Sequence, residues 1–304
     1  MTQDFSHALF LHGACTLPEV RHFINTWCHP DDRKALENIE SPWKGASEYF
    51  RNLAVTEKNI SESVEIRDVS QSLRPKIDGI EENLLFKRTF SQLPHEIKLV
   101  EIEKIITCQR VVNLDYIGEL KGRFPPGLDE EAVFDICMNP VSPVSLPQPV
   151  QTEEGSFVFS DVNPNFRFLG GFPKGITKED VDASLDGGLP VASVVLLFGY
   201  DYGAVNAYRI RKRLILNNGC HRLYALRSLG VTHAPVVIQH IDNPDLEFPP
   251  YFQKLPREYL IEHPRPAMMR GFFDSRLTAR LRMKNRVSNV RISWAADRVY
   301  SPPV

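Results

Sequence analysis

The sequence predicts an α+β protein: a mixed sheet with packed helices, preceded by a helical N-terminal region and followed by a basic tail. Three observations predict it. Residues 17–95 carry apolar side chains at 3–4 spacing, clearest in Val20, Phe23, Ile24 and Trp27, the mark of helices with one buried face. Ile97-Lys98-Leu99-Val100-Glu101-Ile102 then switches to period 2, the mark of a strand. Arg211 to Gln239 reads as strand, tight turn, helix and strand in succession.

The elements follow in order. Pro30-Asp31-Asp32 suits a helix start, with proline near N1 and acids in the first turn. Ile77, Ile80, Leu84, Leu85 and Phe86 continue the helical spacing, so residues 1–95 form a helical region suited to a protein partner. After the strand at 97–102, Asn113 caps a short helix through Leu120. Residues 124–175, with Pro125, Pro126, Pro140, Pro143, Pro147 and Pro149, read as a long irregular insertion, a lid or substrate element. Within it Phe157-Val158-Phe159 has strand character, Asn163-Pro164-Asn165 is a turn, and Phe166–Gly175 packs as an aromatic, glycine-rich loop. Thr177 caps a helix with Asp180 at N3, and Gly187-Gly188 closes it. The apolar run from Leu189 to Phe198 predicts a strand buried on both faces, turning at 199–203 into the strand that ends at Asn217.

Leu214-Ile215-Leu216 is that second strand, and Asn217-Asn218-Gly219 breaks it with residues that tolerate positive φ. Leu223, Leu226 and Leu229 mark one helix face, Gly230 its C-cap, and Ala234–Ile238 a returning strand. In the tail, Arg280, Arg282 and Lys284 alternate with Leu281 and Met283, and Val290, Ile292 and Trp294 alternate with Arg291 and Ser293. These segments read as a hairpin with a basic face, while Arg276, Arg280 and Lys284 also fit helical spacing.

Bulk properties bound the class. A chain of 304 residues, 42% apolar and 24% charged, is that of an ordinary globular protein. No apolar run approaches the roughly 20 residues that span a bilayer, and Asp4 precedes the apolar patch Ala8–Leu11 without a basic segment, so the expectation is a cytoplasmic protein. Five scattered cysteines with no CxxC pair predict reduced thiols and no protein-bound metal. Net charge is −2, yet from Tyr251 onward eleven Lys/Arg face four Asp/Glu. That basic end fits either a polyanion or the acidic body of the same chain.

The turn at Asn218–Arg222 carries the chemistry. A helix start offers unpaired N–H groups and the positive end of the helix dipole, which together favour a phosphate. Gly219 allows close approach, Arg222 offers a fork for phosphate oxygens, and His221 suits hydrogen bonding or general acid/base work. Cys220, at a helix N-terminus beside Arg222, is expected to have a lowered thiol pKa and so to be either a nucleophile or a small residue fitted to a crowded turn.

Asn218-Gly219-Cys220-His221-Arg222 between two strands resembles the signature of the ParB/sulfiredoxin superfamily, and Gly219–Arg222 matches the sulfiredoxin form of its motif. The resemblance covers about residues 96–240, leaving 1–95 and the extension 241–304 outside it. It implies a nucleotide-binding domain in which Asn218, Gly219, Cys220, His221 and Arg222 hold the phosphates of ATP or another nucleoside triphosphate. It also places Gln109 and Arg110 at the ligand pocket; both equally suit a solvated loop. The implied activity is hydrolysis of the triphosphate or transfer of its phosphate, with Mg²⁺ to neutralise charge and Cys220, His221 and Asp201 as candidate catalytic residues. Asp115 and Glu119 are further candidate carboxylates. Two other readings stand beside it: a ParB-like DNA-binding protein or nuclease gripping nucleic acid with the basic tail, and a nucleotide-switched scaffold for a protein partner.

Overall fold

The structure, a computed structural model, describes residues 5–35, 39–138, 149–152, 156–161, 166–182, 189–200, 202–243, 248, 255–285 and 288–293. The chain starts with β1 (Phe5–Phe10), α1 (Leu17–Trp27), α2 (Pro30–Ala35) and α3 (Glu40–Thr56). α1 opens on a capping box: the Thr16 N–H donates to the Glu19 carboxylate at 2.6 Å, and the Thr16 hydroxyl accepts from the Glu19 N–H. Next come β2 (Ile66–Arg67), α4 (Arg74–Glu82), α5 (Leu84–Phe90), β3 (His95–Glu101), β4 (Ile106–Thr107) and β5 (Val111–Asn113). Asn113 Oδ1 accepts from the Tyr116 N–H at 3.0 Å and starts α6 (Leu114–Arg123), as its position predicts.

Helix α7 (Glu130–Met138) precedes β6 (Pro149–Thr152), β7 (Ser156–Asp161), β8 (Phe166–Lys174), α8 (Lys178–Asp182) and β9 (Ser193–Tyr200). The chain continues through β10 (Asn206–Ile210), β11 (Arg213–Asn218), α9 (Cys220–Ser228) and β12 (His233–Ile241). It ends with α10 (Arg257–Ile261), β13 (Ala279–Lys284) and β14 (Ser288–Ser293). Among the described residues no helix is long and apolar enough to cross a membrane.

The α+β class holds, with two compact units, Met1–Val141 plus Tyr202–Asn285 and Ser142–Asp201 plus Arg286–Val304. They cut across the boundaries expected at 95, 124, 175 and 240. In the first unit a six-stranded mixed sheet runs β2-β3-β12-β10-β11-β4, and a second sheet runs β13-β1-β5. The N-terminal helices belong to this unit: Phe50, Leu73, Ile77, Phe86 and Phe90 are buried in one cluster with Val100, Leu223 and Val236. These side chains are therefore occupied internally, while Val55, Leu84 and Leu85 on the same helices stay exposed. Helix α7 replaces part of the expected irregular insertion; Val133, Phe134, Cys137 and Met138 are buried in the same cluster.

Three strand expectations are corrected. β9 is not buried on both faces: among the described residues it pairs with β8 alone, and Val194 and Leu197 are exposed. The hairpin leading to Gly219 is β10–β11, turning at Arg211 (φ 55°) and Lys212, rather than a turn at 199–203. Residues 166–174 are strand β8, not a packed loop. β13 and β14 are both strands, yet they form no hairpin: β13 pairs with β1 and β14 with β7. Asn163-Pro164-Asn165, Gly187-Gly188, Trp294 and Asp201 lie outside the described residues.

Several tail cations meet acids of the same unit. Arg265 and Arg270 hold Glu57 at 2.6 and 3.2 Å, Arg276 holds Asp274 at 2.9 Å, and Arg282 holds Asp32 at 2.7 Å. That pattern follows the intramolecular reading of the charge asymmetry. The second unit contains the antiparallel sheet β14-β7-β6 and the β8–β9 pair, with Phe159 stacked on Phe198 at 4.7 Å. There the Tyr200 hydroxyl donates to Asp161 at 2.8 Å.

Candidate functional site

Strands β4 and β11 are parallel, Ile106 beside Ile215 and Thr107 beside Leu216. Both therefore finish at one edge of the sheet, the edge where open sheets receive ligands. Gln109 and Arg110 follow β4 there; Asn218 ends β11, and Gly219 opens α9. The β4–β11 pairing thus sets the chain segments 109–110 and 218–222 at one end of the sheet. The first N–H groups of α9 have no partner within the helix.

Gly219 has φ of 105° and no room for a side chain: an added Cβ would lie 2.7 and 2.9 Å from the two Val205 methyl groups. Packing against Val205 already requires glycine, whatever binds. Asn217 Nδ2 donates to Asn206 Oδ1 at 2.7 Å and Asn206 Nδ2 to the Ala204 carbonyl at 2.9 Å, which pins the turn to β10.

The side chains that follow point inward. Cys220 is buried, its thiol donating to Met269 Sδ at 3.8 Å, and burial pushes the thiol up to about 12. The expected lowering is reversed, because desolvation of the thiolate outweighs the hydrogen bond with Thr107 that favours it. His221 Nε2 accepts from the Asn113 backbone N–H at 3.0 Å, with the Tyr116 ring edge-on at 5.4 Å. Burial pushes its pKa down to about 4, which makes it a neutral acceptor rather than an acid/base group near neutral pH.

Arg222 is buried, and its guanidinium donates to three backbone carbonyls: Ile136 at 3.3 Å, Cys137 at 3.2 Å, and Gly203. Ile136 and Cys137 lie in the last turn of α7, where the Cys137 carbonyl also accepts from the Val205 N–H at 2.8 Å, so the fork caps a helix C-terminus instead of gripping phosphate. Sequence reading missed this role because its partners sit on a helix that the flanking prolines obscure.

The outer rim is different. Gln109 is exposed, its N–H donating to Thr107 Oγ1 at 3.1 Å. Arg110 is half-buried, donates to the Thr107 carbonyl at 2.9 Å and lies 5.6 Å from the Tyr259 ring centre. Asn218 is half-buried. Of the candidate carboxylates, Asp115 pairs with His7 at 3.1 Å and Glu119 with Arg123 at 3.7 Å. Among the described residues no group of three or more His, Cys, Asp or Glu could hold a metal ion.

A cavity of about 580 Å³ lies elsewhere; Leu99, Val133, Leu229, Arg67, Asp129 and His233 border it. It opens past the C-terminus of α9, a helix length from Gly219. Compared with protein-family models, curated proteins and solved structures, the chain matches none.

Proposed function

We propose that this chain is a ParB/sulfiredoxin-like protein that binds the phosphates of ATP or another nucleoside triphosphate where β4 and β11 end. The N–H groups opening α9 hold the phosphate oxygens, and Gln109, Arg110 and Asn218 form the rim. The observation that carries the reading is the parallel β4–β11 pair, which sets both loops beside one helix start. Mg²⁺ arriving with the triphosphate neutralises its charge. The backbone at Gly219 orients the phosphate, and hydrolysis or transfer proceeds directly to water or an acceptor. A thiol route through Cys220 is left out, because its thiolate is inaccessible near neutral pH.

A second reading, the nucleotide-switched scaffold, is favoured by one observation: Cys220, His221 and Arg222 all have internal partners, so none is free to act on a substrate. The nucleic-acid reading loses support from the tail arginines already paired with Glu57, Asp32 and Asp274.

Calorimetry with ATP, ADP, CTP and GTP in the presence of Mg²⁺ tests the binding. Gln109→Glu is the informative variant, since it sets a carboxylate at the rim without touching the core. Saturable binding that Gln109→Glu weakens about tenfold, roughly 1.4 kcal/mol, supports the site. A folded wild type that binds none of the four at millimolar concentration rejects it. Phosphate release by the nucleotide-bound protein then separates an enzyme from a switch.

A further inference from the structure

The cavity past the C-terminus of α9 plays no part in the nucleotide reading. Its borders come from four stretches of the first unit: Arg67 of β2, Leu99 of β3, residues 128–133 leading into α7, and residues 229–233 between α9 and β12. β2 pairs with β3 and β3 with β12, Arg67 beside Leu99 and Glu101 beside His233. One corner of the sheet therefore supplies one wall, and the start of α7 another. The volume, about 580 Å³, falls in the ~300–1,000 Å³ range of small-molecule sites. Leu99, Leu128, Val133, Leu229 and Val231 give it an apolar lining. Leu99 and Leu229 belong to none of the core clusters, and Leu229 is 49% exposed. Their apolar surface stays in water unless something fills the cavity.

We propose that this cavity binds a small amine, a single ammonium group on an apolar alkyl or aryl body. The sign of the charge follows from which groups at the cavity are already matched. Arg67 is paired, with Nε and Nη2 each 2.7 Å from Glu65 Oε1. His233 Nε2 lies 3.2 Å from the other Glu65 oxygen, and His233 Nδ1 lies 3.0 Å from the Thr232 hydroxyl. That wall is closed on itself. Asp129 and Glu130 differ, since among the described residues neither forms an ion pair. Asp129 Oδ1 accepts from the Ala132 N–H at 2.8 Å and Glu130 Oε1 from the Ser70 N–H at 2.9 Å. Each carboxylate keeps its second oxygen for a ligand. Two carboxylates without a counter-ion attract a cation and repel an anion, most strongly beside an apolar lining that excludes water. The leucines and valines then select an apolar body over a bare ion.

Ligand-detected NMR titrations of the full chain test this with tryptamine and indole-3-propionate, which share a ring and a chain length and differ in the sign of their charge. Asp129→Asn/Glu130→Gln removes both charges while keeping an acceptor for the Ala132 and Ser70 N–H groups. Leu229→Arg instead sets a cation at the exposed mouth. Tryptamine should saturate the wild type, and indole-3-propionate should bind about tenfold more weakly or worse. Each variant, with its fold checked by far-UV circular dichroism, should weaken tryptamine about tenfold. The two variants alter different segments, so misfolding of one leaves the other as the test. A wild type that takes up no tryptamine at millimolar concentration overturns the proposal. So does equal binding of the two probes, or a folded variant with wild-type affinity for tryptamine.

Discussion

The Asn113 N–H donates to His221 Nε2 at 3.0 Å and ties the start of α6 to the start of α9 across 108 residues of chain. The bond fixes the imidazole tautomer, since Nε2 must accept and Nδ1 must carry the proton. Protonating Nε2 would remove the acceptor and place a charge inside the junction. Burial accordingly holds the His221 pKa at about 4.

Acid should therefore loosen this junction. The folded pKa lies below the ordinary value of 6.5, so between about 6.5 and 4 the unfolded chain binds more protons than the folded one. The His221 contribution is fully present above 6.5 and lost as pH falls through 4, at most about 3 kcal/mol at 1.36 kcal/mol per unit. Burial lowers His12 and His263 as well, in the same sense. Urea titrations from pH 7 to 4 should show a shallower loss of stability in His221→Gln than in wild type. Parallel curves would refute a neutral, half-buried His221.

Gly219 and Val205 make a second pair. Gly219→Ala adds a Cβ against the Val205 methyls and forces a side chain to φ of 105°, a combined cost of about 2–4 kcal/mol. Val205→Ala removes the collision but not the backbone strain. The double variant should be more stable than the two single losses add up to predict, and strict additivity in thermal melts would place the penalty in the backbone alone.

How much of this was legible in the sequence depended on range. The Asn113 cap, the period-2 strand and the strand–Gly219–helix–strand unit are written in residues close to one another, and they form as read. Helix α7 was masked by the prolines around it, although Glu130 and Glu131 mark its first turn. The Leu189–Phe198 run signalled strand correctly but burial wrongly, because apolar composition says a surface wants cover without saying what supplies it. The inward commitments of Cys220, His221 and Arg222 were illegible. Their partners Met269, Asn113 and Cys137 lie 49 to 108 residues away in sequence, and only the assembled sheet brings them together.

Thiol chemistry should be quiet in the folded protein. Burial pushes Cys15, Cys28 and Cys108 up to about 11 and Cys137 and Cys220 up to about 12. Near pH 8 a disulfide reagent should modify at most the half-buried Cys108 within minutes, and all five thiols once the chain is unfolded. Rapid labelling of Cys220 in native protein, located by peptide mapping, would revive it as a nucleophile.

Arg222 gives the sharpest separation between a structural and a ligand-binding role. Its guanidinium joins α9 to the α7 carbonyls of Ile136 and Cys137 and to Gly203 before β10. Arg222→Ala takes the guanidinium donor from the Ile136 and Gly203 carbonyls, at about 1–3 kcal/mol each, while the Cys137 carbonyl keeps the Val205 N–H, so a total loss of about 2 kcal/mol or more is expected. Arg222→Lys should fall between, because one ammonium lacks the planar fork that reaches carbonyls on two segments. Urea unfolding without nucleotide reads the difference directly. If Arg222→Ala unfolds at the wild-type midpoint and loses only nucleotide affinity, the guanidinium faces the ligand and the α7 cap is wrong. If the midpoint falls by the expected amount, lost nucleotide binding in this variant reflects a loosened α7–α9 junction, and the phosphate site must be judged on the Gln109 rim.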